Sequence, residues 1–135
     1  MPKNPVEGEK LLNLSGLEEA RMELAYYYRL DNEKNFEKYI RLAANEFNPE
    51  AWYHLGIIEK NRGNYNKSIL MLNKSLQINA QYYPSLLELG KLYLNGEGID
   101  KNKKKGLELL EQVAHNSEDK VLRDAALSSI EKYSK

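Results

Sequence analysis

The sequence predicts an all-α chain: antiparallel helical hairpins stacked as a short right-handed α-solenoid of about eight helices. Three observations carry that expectation. A junction of apolar and small residues recurs at Leu24-Ala25, Leu55-Gly56, Leu89-Gly90 and Ala125-Ala126, spaced 31, 34 and 36 residues apart, and such a period marks a stacked helical repeat. After each of the first three junctions comes a second segment with apolar residues three and four positions apart, namely NFEKYIRLAAN, YNKSILMLNKSLQ and KKKGLELLEQVAH; that is the spacing of one helix face. No stretch shows the sustained alternation of a half-buried strand.

The elements follow in order. A half unit over 5–14 opens at Asn4-Pro5, a cap residue followed by a first-turn proline, and its Leu11 and Leu12 close a second-type helix. The first full unit spans about 17–45, with Ser15 and Glu18 as a capping box. The second spans about 49–80: Asn48 caps, Pro49 takes the first helical position and Glu50 sits on the positive end of the helix dipole. Gly63 is placed to end its first helix in the left-handed conformation. The third unit spans about 83–115, with Gly96-Glu97-Gly98 as a longer turn between its helices. Lys103, Lys104 and Lys105 read as a solvated entry into the following helix. No strand precedes these glycines, so the phosphate-cradling loop motifs do not apply.

A capping helix over 118–133 is expected to bury Val121, Leu122, Ala125, Ala126, Ile130 and Tyr133. Its other side, with Lys120, Arg123, Asp124, Glu131 and Lys132, would be the polar outer face of a terminal cap. Met1 and the capped ends suit a complete protein. Ala25, Gly56, Gly90 and Ala126 are expected where two helices cross too closely for a larger side chain.

Composition removes several function classes. Lysine plus arginine equals aspartate plus glutamate at 20 each, whereas a dedicated nucleic-acid binder carries a basic excess. Cysteine is absent, which excludes thiol catalysis, disulfides and the commonest structural zinc sites. The start MPKNPVEGEK has no apolar signal core, and no apolar run approaches the roughly 20 residues of a membrane helix. A cytoplasmic protein, monomeric or weakly dimeric, with no membrane or nucleic-acid partner, is expected. The histidines, His54 and His115, fall in different units without metal-ligand spacing. His54 reads as a packed or groove-lining residue and His115 as a cation at a helix end. No nucleophile, base and orienting group can be assembled, so neither catalysis nor a metal or cofactor is expected.

Trp52, Leu55, Gly56, Gly63, Tyr65 and Leu72 resemble a tetratricopeptide repeat, with Ser68 and Ser75 where that family usually has alanine and Glu59 where it prefers tyrosine. LGKLYLNGEGIDKNKKKGLELLEQVA is similar to the Sel1-like variant, with Ile99 for its valine, Gly106 for its alanine and Val113-Ala114 for its closing alanine pair. The resemblance implies a concave face lined by the first helix of each unit. Its inward places carry over to Glu19, Met22, Tyr26 and Arg29, then Glu50, Tyr53, Ile57 and Lys60, then Leu87, Lys91 and Leu94. Met22, Tyr26, Tyr53, Ile57 and Leu87 would make an apolar strip flanked by Arg29, Lys60 and Lys91, suited to a protein or peptide ligand. In the Tyr26-Tyr27-Tyr28 run, Tyr26 would face the groove, Tyr28 the core, and Tyr27 a neighbouring helix or solvent. Chaperone-binding members grip a terminal carboxylate with lysine and asparagine, but Met22, Tyr26, Tyr53, His54 and Glu88 stand at those places here. The function implied is a non-catalytic protein-interaction module: an adaptor, a chaperone-like binder or an antagonist of one partner. The alternatives are a Sel1-like hydrolase and a helical-repeat RNA binder; the first lacks a nucleophile and the second a basic, stacking surface.

Overall fold

The structure is a computed structural model that describes residues 22, 25, 26, 33–44 and 48–134. Six helices lie among them: α1 (Glu33–Ala43), α2 (Pro49–Asn61), α3 (Tyr65–Ile78), α4 (Tyr83–Asn95), α5 (Lys103–Asn116) and α6 (Lys120–Ser134), with no strand. Met22, Ala25 and Tyr26 are also helical. The helix expected over 5–14, and the rest of the one expected from 17 onward, fall outside the described residues. The expected total of about eight therefore stands against six helices among the described residues.

Local chemistry sets the helix ends. The Asn48 side chain accepts the Ala51 N–H at 3.1 Å, with Pro49 in the first turn. α2 ends in a Schellman motif: Gly63 has φ 81°, its N–H donates to Lys60 O at 3.0 Å, and the Asn64 N–H donates to Glu59 O at 2.9 Å. α4 ends at Gly96, φ 69°, and the chain turns again at Gly98, φ 70°, so the glycine turn is where the sequence predicts it. Asn102 caps α5 by accepting the Lys105 N–H at 3.0 Å. Lys103, Lys104 and Lys105 form the first turn of that helix and are all exposed. Asp119 caps α6, accepting the Val121 N–H at 2.9 Å.

Short turns make α2 with α3, and α4 with α5, antiparallel pairs: Leu94, late in α4, meets Gly106 early in α5, and Gly90 meets Leu110. The crossings are close enough to exclude a side chain. A methyl group on Gly56 would lie 2.9 Å from Leu72 Cδ2, and one on Gly106 would lie 2.9 Å from the Gly90 carbonyl oxygen. Successive turns also stack, since a methyl on Gly98 would lie 2.4 Å from Tyr65 Cβ.

Burial follows as three local clusters rather than one core, the arrangement of a stack in which each unit touches its neighbours. Met22 and Ala25 pack with Phe36, Tyr39 and Ile40 of α1 and with Ala51 and Leu55 of α2. Leu72 meets Leu89 and Leu92. Leu86, Leu87 and Leu94 pack with Leu110, Val113 and Ala126. α4 is the middle helix, buried on several sides.

One expectation is corrected at α6. Val121 is 76% exposed instead of buried, and Leu127 is also open at 52%. The Asp119 cap starts the helix so that Leu122, Ala126, Ile130 and Tyr133 form the inward row. Val121 lies one position, about 100°, off that row.

The buried polar groups cost the stack differently. Glu59, 4% exposed, accepts from Asn64 Nδ2 at 2.9 Å and lies 3.4 Å from Arg41 and 3.5 Å from Arg62. Both arginines also hold Glu37. The hydrogen bond from Arg62 leads in lowering the Glu37 carboxyl below its ordinary value, against desolvation and helped by Arg41. Its stabilising contribution is present above the unfolded carboxyl range and fades as pH falls through the lowered folded value. Ser85 Oγ donates to Ser75 Oγ at 2.8 Å inside the α3–α4 contact. Ser68 Oγ is buried without a partner among the described residues.

Two sets of variants test this packing by thermal or urea melts. Gly56→Leu and Gly90→Leu should each cost about 1–3 kcal/mol or more by overpacking. Gly63→Ala should cost only about 1–2 kcal/mol for its backbone conformation, and Gly98→Ala more, because Tyr65 must also move; equal losses would show that the turns do not stack. Among the serines, Ser68→Ala should be neutral or stabilising. Ser75→Ala should cost about 1–3 kcal/mol by stranding the Ser85 hydroxyl, and adding Ser85→Ala should recover much of it.

Candidate functional site

With Ala51, Leu55, Gly56 and Glu59 turned into the core, α2 presents one half-exposed row of Glu50, Tyr53, His54, Ile57 and Lys60. These positions recur at three and four residues, so they share a face. α4 lies beside that row and runs in the same direction, because contacts pair the two helices start to start and further along in step. Tyr53 meets Tyr82, just before α4, with ring centroids 6.0 Å apart. Further along, Lys60 Nζ donates to Glu88 Oε2 at 2.7 Å.

Aromatic rings run across the face. Tyr26 lies edge-on to His54 at 5.7 Å, His54 to Tyr53 at 5.1 Å, and Phe36 closes on His54 at 5.7 Å from below. The Tyr26 hydroxyl donates to Glu50 Oε1 and lies 2.9 Å from His54 Nε2. Burial pushes the Tyr82 phenol well above its ordinary value, with the negative charge of Glu50 and the neighbouring Tyr53 adding to the effect. At the other end, Glu88 is shared between Lys60 and Lys91, the latter at 3.8 Å.

The structure therefore brings Tyr26, Tyr53, Ile57, Lys60 and Lys91 to half-exposed positions. Met22 and Leu87, expected on the strip, are buried beneath it, as is Leu94. Met22 packs against α1 and α2, and Leu87 lies in the cluster α4 shares with α5 and α6. Arg29, Glu19, Tyr27 and Tyr28 lie outside the described residues. Sequence reasoning read His54 as packed or groove-lining but missed the joining roles of Tyr82 and Glu88. Glu88 had a signal, three residues before Lys91; Tyr82 precedes its helix and had none.

The arrangement offers rings, two carboxylates and two ammonium groups, a set suited to binding. The expectation that no nucleophile motif is present is corrected: two serines precede a lysine by three residues, the spacing of one class of serine nucleophile. Ser117 Oγ accepts the Asp119 N–H at 3.2 Å in the turn into α6, and Lys120 is exposed; Ser129 and Lys132 lie along the same helix, with Lys132 exposed. Among the described residues no three His, Cys, Asp or Glu side chains gather to hold a metal, and no helix is long and apolar enough to cross a membrane. His115 is exposed in the last turn of α5.

This is the fold of the tetratricopeptide and Sel1-like repeat proteins: paired helices in a stack, crossing at small residues. Solved structures place it more closely. A protective antigen of uropathogenic Escherichia coli strains, displaying an SLR fold, superposes with a TM-score of 0.77 at 22% identity over 95% of this chain, which spans 28% of that protein. A Sel1 repeat protein from Oxalobacter formigenes gives 0.67 at 24% identity, covering 92% of this chain and 95% of that one. MamA gives 0.61 at 20% identity, covering 95% and 83%. No protein-family model matches the chain, and no curated protein matches it. At these identities the likeness is one of fold.

The hydrogen bonding sets a tautomer that can be measured. With the Tyr26 hydroxyl donating to Glu50, the 2.9 Å contact to His54 Nε2 is satisfied when that nitrogen carries the proton, so the Nε2–H tautomer is the expected form. Long-range proton–nitrogen correlation spectra should show the Nε2–H form for His54, relaxing toward a mixture in Tyr26→Phe. A dominant Nδ1–H form in the parent protein would break this chain of bonds.

Proposed function

We propose that this protein is a non-catalytic interaction module of adaptor, chaperone-like or antagonist type. It binds a protein segment on the face built by Tyr26, α2 and α4. In this reading the chain is one repeat domain, with a half unit over 5–14, units of about 17–45, 49–80 and 83–115, and a capping helix. The units wind as a short right-handed solenoid whose concave side is that face. The observation that carries the proposal is the line of rings Tyr26, His54, Tyr53 and Tyr82, which joins three helical segments on one half-exposed surface. Aromatic side chains held rigid by neighbours give large contact area at small entropic cost, and they dominate protein interfaces. The absence of a nucleophile–base arrangement among the described residues favours binding over hydrolysis, and the balanced charge disfavours RNA.

The test is titration of a partner captured from the native cell lysate and identified by mass. Tyr53→Ala and Tyr26→Ala, each checked for an unchanged melt, should weaken binding by about 2 kcal/mol, roughly thirtyfold. Leu70→Ala, on the exposed side of α3, is the control and should bind like the parent. Equal binding by all three would move the site away from this face.

A further inference from the structure

We infer that the occupant of this face is a charge-polarised protein segment, with a basic side chain against Glu50, an acidic one against Lys60 and Lys91, and apolar residues between. The inference rests on the reading of the face as a protein-binding surface and adds the chemistry of what binds there.

The charges on the face are segregated although the whole chain is neutral. Glu50 begins the half-exposed row of α2 and Lys60 ends it, with Tyr53, His54 and Ile57 between them. Lys60 and Lys91 share the single carboxylate of Glu88, which is only 13% exposed, whereas the lysines are 28% and 34% exposed. Among the described residues one positive charge at that end is therefore uncompensated, and the ammonium groups reach solvent more than the carboxylate does. Glu50 is different. Its side chain is 43% exposed and its contacts are the Tyr26 hydroxyl and, at 3.8 Å, His54 Nε2; among the described residues no lysine or arginine pairs with it. A segment laid along α2 with matching charges gains at both ends, and a reversed one meets repulsion at both. That asymmetry selects partner and register more than it adds raw affinity.

The separation sets a spacing. Ten helical steps of about 1.5 Å put Glu50 and Lys60 about 15 Å apart along α2. An extended segment rises about 3.3 Å per residue and alternates its side chains, so a base and an acid that share its inward side should stand about four residues apart. The inward residue between them would rest on Tyr53 and Ile57.

A random dodecapeptide library displayed on phage provides the probe. It is panned against the parent, Glu50→Gln, Lys60→Gln with Lys91→Gln, and Tyr53→Ala. Because the double lysine change also strips Glu88 of its partners, Lys91→Gln alone, which keeps the Lys60–Glu88 pair, is run beside it. Melts establish that each variant is folded. The parent should enrich peptides with a base and an acid at the expected spacing around apolar residues. A synthetic consensus peptide should bind the lysine variants about threefold to tenfold more weakly, a loss that shrinks at high salt. Glu50→Gln should enrich peptides that have lost the basic residue and kept the acid. Enrichment without charge preference, or a preference unchanged in the charge variants, would overturn the inference; Tyr53→Ala losing that binding would show that the face still binds protein. If nothing is enriched over Tyr53→Ala, the binding face and its polarity fall together.

Discussion

The close crossing of helices at small residues is the constraint on which the rest of this structure depends. At Gly90 and Gly106 two helices approach until backbone meets backbone, and at Gly56 the leucine of the partner helix fills the space a side chain would occupy. A helix held that closely gives one whole face to its partner. In α2 that face is Ala51, Leu55, Gly56 and Glu59, so Glu50, Tyr53, His54, Ile57 and Lys60 are left turned away from it. The candidate binding surface is thus a consequence of how the hairpins close.

The stack is held by several small clusters joined by polar ties, and this suits a modular architecture better than a single deep core. Glu59 shows how such a tie works. Its carboxylate is nearly buried, yet it gathers Asn64 and two arginines that also reach Glu37 of the preceding helix. Breaking one partner of such a group costs more than the group contributes intact, because a charge is left buried and unanswered. Through these arginines the group ties α1 to α2.

On the open face, rings and charges complement one another. Tyr26, His54, Tyr53 and Tyr82 touch in succession and hold each other in place. Surfaces ordered before binding lose less entropy when a partner arrives. The charges lie at the two ends of the α2 row, where solvent reaches them, and in the proposed reading they steer and orient a partner. Among the described residues the face offers rings, two carboxylates and two ammonium groups, the set on which the proposed recognition rests.

The amino-acid sequence by itself determined the helical class, the pairing of helices, the cap at Asn48, and the turns at Gly63 and at Gly96 to Gly98. These features are local: a cap or a turn depends on residues within one helical turn, and periodicity shows which side of a helix is apolar. The resemblance to the repeat family also pointed to Tyr26, Tyr53, Ile57, Lys60 and Lys91, whose inward places carried over from its pattern. Tertiary structure decided what phase cannot. Met22 and Leu87 were carried over to the groove with the others, yet neighbouring helices cover them. Val121 looks apolar enough for the core, yet the Asp119 cap starts its helix so that it points outward. Tyr82 and Glu88 join the face only because α4 lies beside α2, a contact between residues some thirty positions apart that no local pattern records.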